Sequence, residues 1–216
     1  MYFHFLVEDM SGATLIEILM NKIRNSRDDI QFHCHSFKGI GGLTRKNTIK
    51  ETKTGKLLND LATYLRGFNK SLQGIEAAIF IVVDNDTRDT EAFRNELKSV
   101  AEQNRITIDH VFCIAIEEME AWLLGDAEAV KQAYPSAKLQ IVQSYEQDSI
   151  CGTWELLADA IYPGGLKRFR KDCPTFVEKG KYKNEWAQQI GQYMQIQKNK
   201  SPSFQYFIQE ISKRLA

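Results

Sequence analysis

The stretch Ala77-Ala-Ile-Phe-Ile-Val-Val83, followed at once by Asp84-Asn85-Asp86, decides the fold class of this 216-residue chain. Its continuous apolar run is rich in β-branched residues and has no polar alternation, which suits a strand covered on both faces. Strands of that kind belong to parallel sheets with helices on either side. Upstream, Tyr2–Val7 (YFHFLV) and residues 30–37 (IQFHCHSF) read as two further strands, and residues 110–116 (HVFCIAI) as a fourth. Between them, helical spacing begins at Ser11-Gly12 (Leu15, Ile16, Leu19, Ile23) and returns over residues 57–68 and 91–103, with another helix over 117–124. The order β-α-β-α-β-α-β-α predicts an α/β fold: a mostly parallel four-stranded sheet flanked by helices.

Past Asp126 the pattern changes. Apolar residues keep helical spacing in Thr153–Ile161 and in residues 183–196 and 203–215, punctuated by Pro135, Pro163, Pro174 and Pro202. Residues 139–142 are ambiguous between strand and helix. The expected organisation is an α/β core over residues 1–126 and a C-terminal helical appendage over 127–216, packed on that core because no Gly/Ser linker divides them. A chain of this size buries about 70% of its unfolded surface, so folding requires neither disulfides nor a structural metal. The apolar runs are strand-sized, far short of the ~20 residues of a membrane span. Glu8 and Asp9 interrupt the first apolar run, against a secretory signal, and four cysteines without a CxxC pair point to a reduced, cytoplasmic protein. Lys plus Arg equals Asp plus Glu at 28 each, so any attraction to nucleic acid must be local.

Acidic clusters end three of the predicted strands: Glu8-Asp9, Asp84/Asp86, and Glu117/Glu118/Glu120. Ligands of parallel α/β sheets sit at the carboxyl ends of strands, so the three clusters are expected to converge. Strand alternation would aim Asp84 and Asp86 to one side, a donor pair suited to a hard cation such as Mg²⁺. Glu8 precedes a Ser-Gly helix start, where a carboxylate can cap the helix, act as general acid or base, or ligate a second ion.

With these residues placed, Glu8 after the first strand and Asp84-x-Asp86 after a later one resemble the toprim signature shared by topoisomerases, primases and the overcoming-lysogenisation-defect nucleases. The chain is most similar to a toprim-like family of uncharacterised proteins often encoded beside ABC/AAA-type ATPases in phage-defence loci. The matching segments are FLVEDMSG (5–12), SFKGIGGL (36–43), LLNDLATYLRGF (57–68), VVDNDTRD (82–89), IAIEEMEAWLLGD (114–126) and SPSFQYF (201–207). The resemblance implies a toprim-like fold and a Mg²⁺-dependent nuclease, with Mn²⁺ able to substitute. It implies that Glu8 and Glu120 are catalytic carboxylates. The metal would be held by Asp84 and Asp86, with Glu8, Asp9 and Glu117 as further ligands. Glu120 is preferred to Glu118 because three residues from Glu117 returns to the same helix face. Two departures stand out: Asp9 replaces the usual Gly after the first Glu, and Gly12 occupies a position that carries an acid in some nucleases. Asp9 is then the candidate replacement ligand.

Two stretches are basic. Residues 38–56 carry Lys38, Arg45, Lys46, Lys50, Lys53 and Lys56 against Glu51. Residues 167–183 carry Lys167, Arg168, Arg170, Lys171, Lys179, Lys181 and Lys183 against Asp172 and Glu178, interleaved with Phe169, Phe176 and Tyr182. Basic charge with aromatics suits a nucleic-acid strand, although a solvated face has the same composition. His33-Cys34-His35 lacks further ligands at zinc spacing, and the glycines at 39–42 match neither a dinucleotide fingerprint nor a P-loop. Nucleic acid is the expected partner, the resemblance implies an ABC/AAA-type ATPase as another, and a homodimer is admissible, with no membrane. Two other readings compete: a toprim-like binding subunit without catalysis, and a receiver-like phosphoacceptor domain with Asp84 as acceptor. The last lacks the Lys expected at the end of the final strand, where Ile116-Glu117-Glu118 stands.

Overall fold

The computed structural model describes residues 1–25, 27–41 and 56–216, so the expectations for Arg45 and Lys46 lie outside the described residues. The four strands are β1 (Tyr2–Val7), β2 (Gln31–Ser36), β3 (Ala77–Asp84) and β4 (Asp109–Ala115). They form one all-parallel sheet in the order β2-β1-β3-β4, with Val7 level with Ser36 and Val82, and Asp84 level with Ala115. The α1 helix (Met10–Arg24) connects β1 to β2, α2 (Leu57–Ser71) connects β2 back across to β3, and α3 (Thr90–Gln103) connects β3 to β4. Chain connections leave β1 in opposite directions, so the carboxyl ends of β1 and β3 border the switch-point crevice of the sheet.

Side-chain alternation distributes the strands' apolar residues between two cores. Leu6, Ile79, Ile81, Val83 and Phe112 pack with Leu61 and Leu65 of α2 and with Phe93 and Leu97 of α3. Phe3, Phe5, Val7, Phe80, Val82 and Cys113 pack on the other face with Leu15, Ile16 and Leu19 of α1. The second core continues without a break into the C-terminal helices: α4 (Glu120–Leu124), α5 (Ala127–Ala133), α6 (Leu139–Gln143), α7 (Thr153–Ile161), α8 (Gly165–Asp172), α9 (Phe176–Tyr193) and α10 (Pro202–Lys213). The ambiguous stretch at 139–142 is helical. Its apolar residues lack a neighbouring strand edge, and Val142 buries into the helical layer.

Residues beyond 126 complete the layer over the sheet. Phe207 of α10 sits 6.0 Å from both Phe5 and Phe80, ring to ring, and 5.0 Å from Trp122. Thr14 Oγ1 of α1 donates to Asn184 Oδ1 of α9 at 2.7 Å, and Lys22 Nζ donates to the carbonyls of Gln192 and Met194 at 2.7 Å each. Helix α9 starts at a capping box, Thr175 with Glu178, and runs 18 residues along α1. Its direction carries Lys183 to the carboxyl edge of the sheet. Among the described residues no helix is long and apolar enough to cross a membrane.

Candidate functional site

The ends of β1 and β3 are joined through an acid. Glu8 N donates to Val82 O at 3.1 Å, and Glu8 Oε2 accepts from the backbone N of Asp84 at 3.0 Å. Asp9 caps α1: its Oδ1 accepts from Gly12 N at 2.8 Å and its Oδ2 from Ser11 Oγ at 2.8 Å. Gly12 has a steric reason. A Cβ there would stand 2.9 Å from Val7 Cγ1 and 3.1 Å from Met119 Cε, so any side chain, acidic or otherwise, would have to displace Val7.

β3 and β4 end in a second junction. Asn85, fully buried, accepts from Glu117 N through Oδ1 at 2.5 Å and donates through Nδ2 to Arg88 O and Thr90 Oγ1. Backbone bonds Asn85 N to Ala115 O and Asp86 N to Glu117 O close the junction. Asp86 and Glu117 both adopt left-handed backbone, φ 50° and 60°, a conformation that costs a non-glycine residue on the order of 1–3 kcal/mol and is commonest where function demands it. This junction corrects two expectations. Strand alternation stops at Asp84, and the turn sends Asp86 outward to an ion pair with Arg88 at 2.7 Å. Helix α4 begins at Glu120 rather than at 117, so Glu117 does not share its face. Instead the Glu117 carboxylate accepts from Gly152 N and Thr153 N at 2.7 Å each, anchoring the start of α7 with both of its oxygens.

Glu118 takes the place foreseen for Glu117. Lys183 Nζ lies 3.1 Å from Glu120 Oε2 and 3.6 Å from Glu118 Oε1, and the three side chains are largely buried, Glu120 being 2% exposed. Among the described residues, Glu118 Oε2 is buried without a hydrogen-bond partner, and Glu120 Oε2 has the ammonium nearby but no aligned hydrogen bond. Burial alone would lower the proton affinity of Lys183. The carboxylates of Glu120, Glu118, Asp84 and Asp9 outweigh it, and the lysine is held firmly protonated.

The acids carry the reciprocal strain. Burial, reinforced by Asp9 and Asp86, pushes Glu8 up to about 7 against the opposing Asp84 N–H and Lys183. Desolvation of the Asp84 carboxyl, with repulsion from Glu8, Asp9 and Glu120, raises it well above the carboxylate range. Burial and Glu120 push Glu118 up to about 8, and burial raises Glu120 despite Lys183. Glu8, Asp9, Asp84, Glu118 and Glu120 thus share one electrostatic neighbourhood with, among the described residues, Lys183 as its lysine. Among the described residues, no three histidine, cysteine, aspartate or glutamate side chains are disposed, as they stand, to enclose one ion.

Lys183 was legible only as one charge in a basic stretch; nothing in its spacing distinguishes it from Lys179 or Lys181. Of the remaining basic candidates, Lys38 is exposed just past β2, and Lys167, Arg168, Arg170 and Lys171 are exposed along α8. Arg168 pairs with Asp172 at 2.7 Å and Arg170 with Glu155 at 3.6 Å. The aromatics divide. Phe169 is buried in the core, Tyr182 is half-buried, and Phe176 is 91% exposed at the start of α9. His33 and His35 lie on the α2 face of the sheet, with His35 Nε2 3.0 Å from Tyr64 Oη, away from the acids.

Residues 7–212 match the family described as "Domain of unknown function (DUF4276)", and the chain belongs to that family. No curated protein and no solved structure gives a significant match.

Proposed function

We propose that this member of the DUF4276 family is a divalent-metal-dependent phosphodiester hydrolase of nucleic acid, with Mg²⁺ as its working cation and Mn²⁺ as a substitute. The observation that carries the reading is the gathering of Glu8, Asp84, Glu118 and Glu120 around Lys183 at the switch point of a parallel sheet. The donors fit a hard cation: all are carboxylates, Glu118 Oε2 is a buried orphan among the described residues, and burial with mutual repulsion raises their proton affinities, which a bound cation would offset. Asp84, Glu118 and Glu120 are the residues that would hold the ion. When bound it would polarise a phosphoryl oxygen and acidify a water.

The chain's own groups account for the rest. Lys183 offsets the acids, so that a polyanionic strand can approach, and its ammonium can donate to a phosphoryl oxygen as charge builds there. Glu8, with its carboxyl near 7, can take up and return a proton at neutral pH. The exposed cations of α8, with Lys38, provide contacts for flanking phosphates. A toprim-like ancestry and gating by an ABC/AAA-type ATPase in a phage-defence setting are part of the same proposal, supported by the sequence segments quoted above.

One observation favours a second reading, a binding subunit without catalysis: Lys183 already stands where it neutralises two of the acids. Calorimetric titration with Mn²⁺ separates the two. The hydrolase reading expects saturable binding that Asp84→Asn removes, and absence of binding, or binding that Asp84→Asn leaves intact, would favour the subunit.

A further inference from the structure

Helix α9 serves two sites. Consecutive helical residues point about 100° apart, so while Lys183 faces the acids, Tyr182 and Trp186, one turn apart, face an adjoining groove. That groove encloses about 950 Å³ between the α5–α6 turn, the turn at residues 162–164, α8 and α9. Tyr134, Tyr162, Tyr182 and Trp186 form aromatic walls, with Tyr162 edge-on to Tyr182 at 5.6 Å. The charged groups of the lining are Asp172, Arg168 and Glu185, with Ser136 and the tyrosine hydroxyls beside them. Asp172 Oδ2 accepts from Tyr162 Oη at 3.1 Å and from Arg168 Nε at 2.7 Å. Among the described residues, Asp172 Oδ1 and both Nη groups of Arg168 carry no hydrogen bond, and the buried hydroxyl of Tyr134 has no partner.

The chemistry narrows the ligand. An aliphatic chain would leave Asp172, Arg168 and the Tyr134 hydroxyl unanswered, and a bare phosphate would leave the aromatic walls unused. A planar heteroaromatic ring with exocyclic amino groups satisfies both sets: it stacks on the rings and donates to Asp172. A phosphate attached to it would meet the free side of the Arg168 guanidinium, which also belongs to the basic row of α8. We infer that this groove is a nucleobase pocket, which receives a base of the strand whose phosphodiester lies at the acid site. The inference rests on the hydrolase reading for its substrate, and it adds that the strand must present an unpaired base.

The test begins with binding alone. Asp84→Asn protein in EDTA is titrated with AMP, GMP, CMP and UMP, followed by tryptophan fluorescence, with Tyr182→Leu and Arg168→Gln introduced into the same background. At least one nucleotide is expected to quench Trp186, and Tyr182→Leu should weaken it by about 5- to 150-fold, the loss of one base–aromatic stack. Arg168→Gln should weaken the nucleotide more than the matching nucleoside. Because Tyr182 also packs on Phe169, a single-stranded oligonucleotide scanned with one abasic residue gives a readout on unaltered protein: one position beside the cleaved bond should lose binding by a similar factor. A flat abasic scan, with cleavage intact, overturns the pocket and leaves the hydrolase reading standing. Nucleotide binding that Tyr182→Leu abolishes, in a protein that cleaves nothing, keeps the pocket and sinks the hydrolase. No quenching by any nucleotide overturns the pocket.

Discussion

Replacing Lys183 by methionine removes, among the described residues, the one cation within ion-pair distance of Glu118 and Glu120 while keeping an unbranched chain of similar length. Both acids are largely buried, at 22% and 2% side-chain exposure, so solvent cannot supply the missing charge. Removing one partner of a buried ion pair costs about 3–5 kcal/mol. With a urea m-value of about 3 kcal/mol/M, that lowers the unfolding midpoint by roughly 1–1.7 M. The cost depends on pH in a defined direction. Glu118 and Glu120 already have raised proton affinities, and without the lysine they rise further, so protonation relieves the variant in acid. Urea unfolding followed by circular dichroism should therefore show the full loss at pH 8 and a much smaller one near pH 5.5. Mn²⁺ or Mg²⁺ should recover part of the loss at pH 8, because a divalent cation can take over the acids that the ammonium vacates. A loss below 1 kcal/mol at pH 8, the same at both pH values, would refute the electrostatic account of this site.

Four further outcomes follow from the structure. Glu8 ionises in the unfolded chain near 4.5 and in the folded protein at about 7, so its contribution to stability is complete below pH 4.5 and is lost as pH rises toward 7; the metal-free protein should lose up to ~3 kcal/mol across that window, and Glu8→Gln should flatten the profile in thermal melts. Catalytically, Glu8→Gln should retain metal in calorimetry yet cut ~10²–10⁴-fold more slowly, and unimpaired cleavage would remove Glu8 from proton transfer. Glu117→Ala frees the Gly152 and Thr153 amides and should destabilise the protein by about 1–3 kcal/mol without changing Mn²⁺ affinity; a loss of metal binding would return Glu117 to the ligand set. Reversing Lys167 and Lys171 to glutamate should weaken binding to all strands alike and shallow its salt dependence in anisotropy titrations, whereas an unchanged slope would assign α8 to a solvated face.

The parallel sheet was readable because buried strands write near-continuous apolar runs, and 77–83 is such a run. Convergence of Glu8 and the 84–86 acids was readable because strand ends of a parallel sheet share an edge. What followed the strand ends was not. The left-handed turns at Asp86 and Glu117 break both the two-residue and the helical periodicity on which side-chain directions were inferred, and Asn85, the buried amide that holds those turns, reads in sequence as a polar spacer. For that reason Glu118, and not Glu117, stands beside Lys183 and Glu120. Lys183 reaches the acids from a helix more than sixty residues downstream of Glu120, and such a pairing depends on how α9 packs on α1, which local pattern does not encode. Phe169 and Tyr182 likewise alternate with basic residues in sequence, yet one fills the core and the other walls a groove.

The central claim meets its most direct test in cleavage. End-labelled single-stranded DNA, duplex DNA and RNA are incubated with Mg²⁺ and the purified protein, alone and with any ATPase encoded beside it, in parallel with Asp84→Asn. The account predicts that at least one substrate is cut by the wild-type protein only when the divalent ion is present, and that Asp84→Asn falls to background. Cutting by Asp84→Asn at the wild-type rate, or intact substrates under every condition with Mg²⁺ and Mn²⁺ alike, would contradict it.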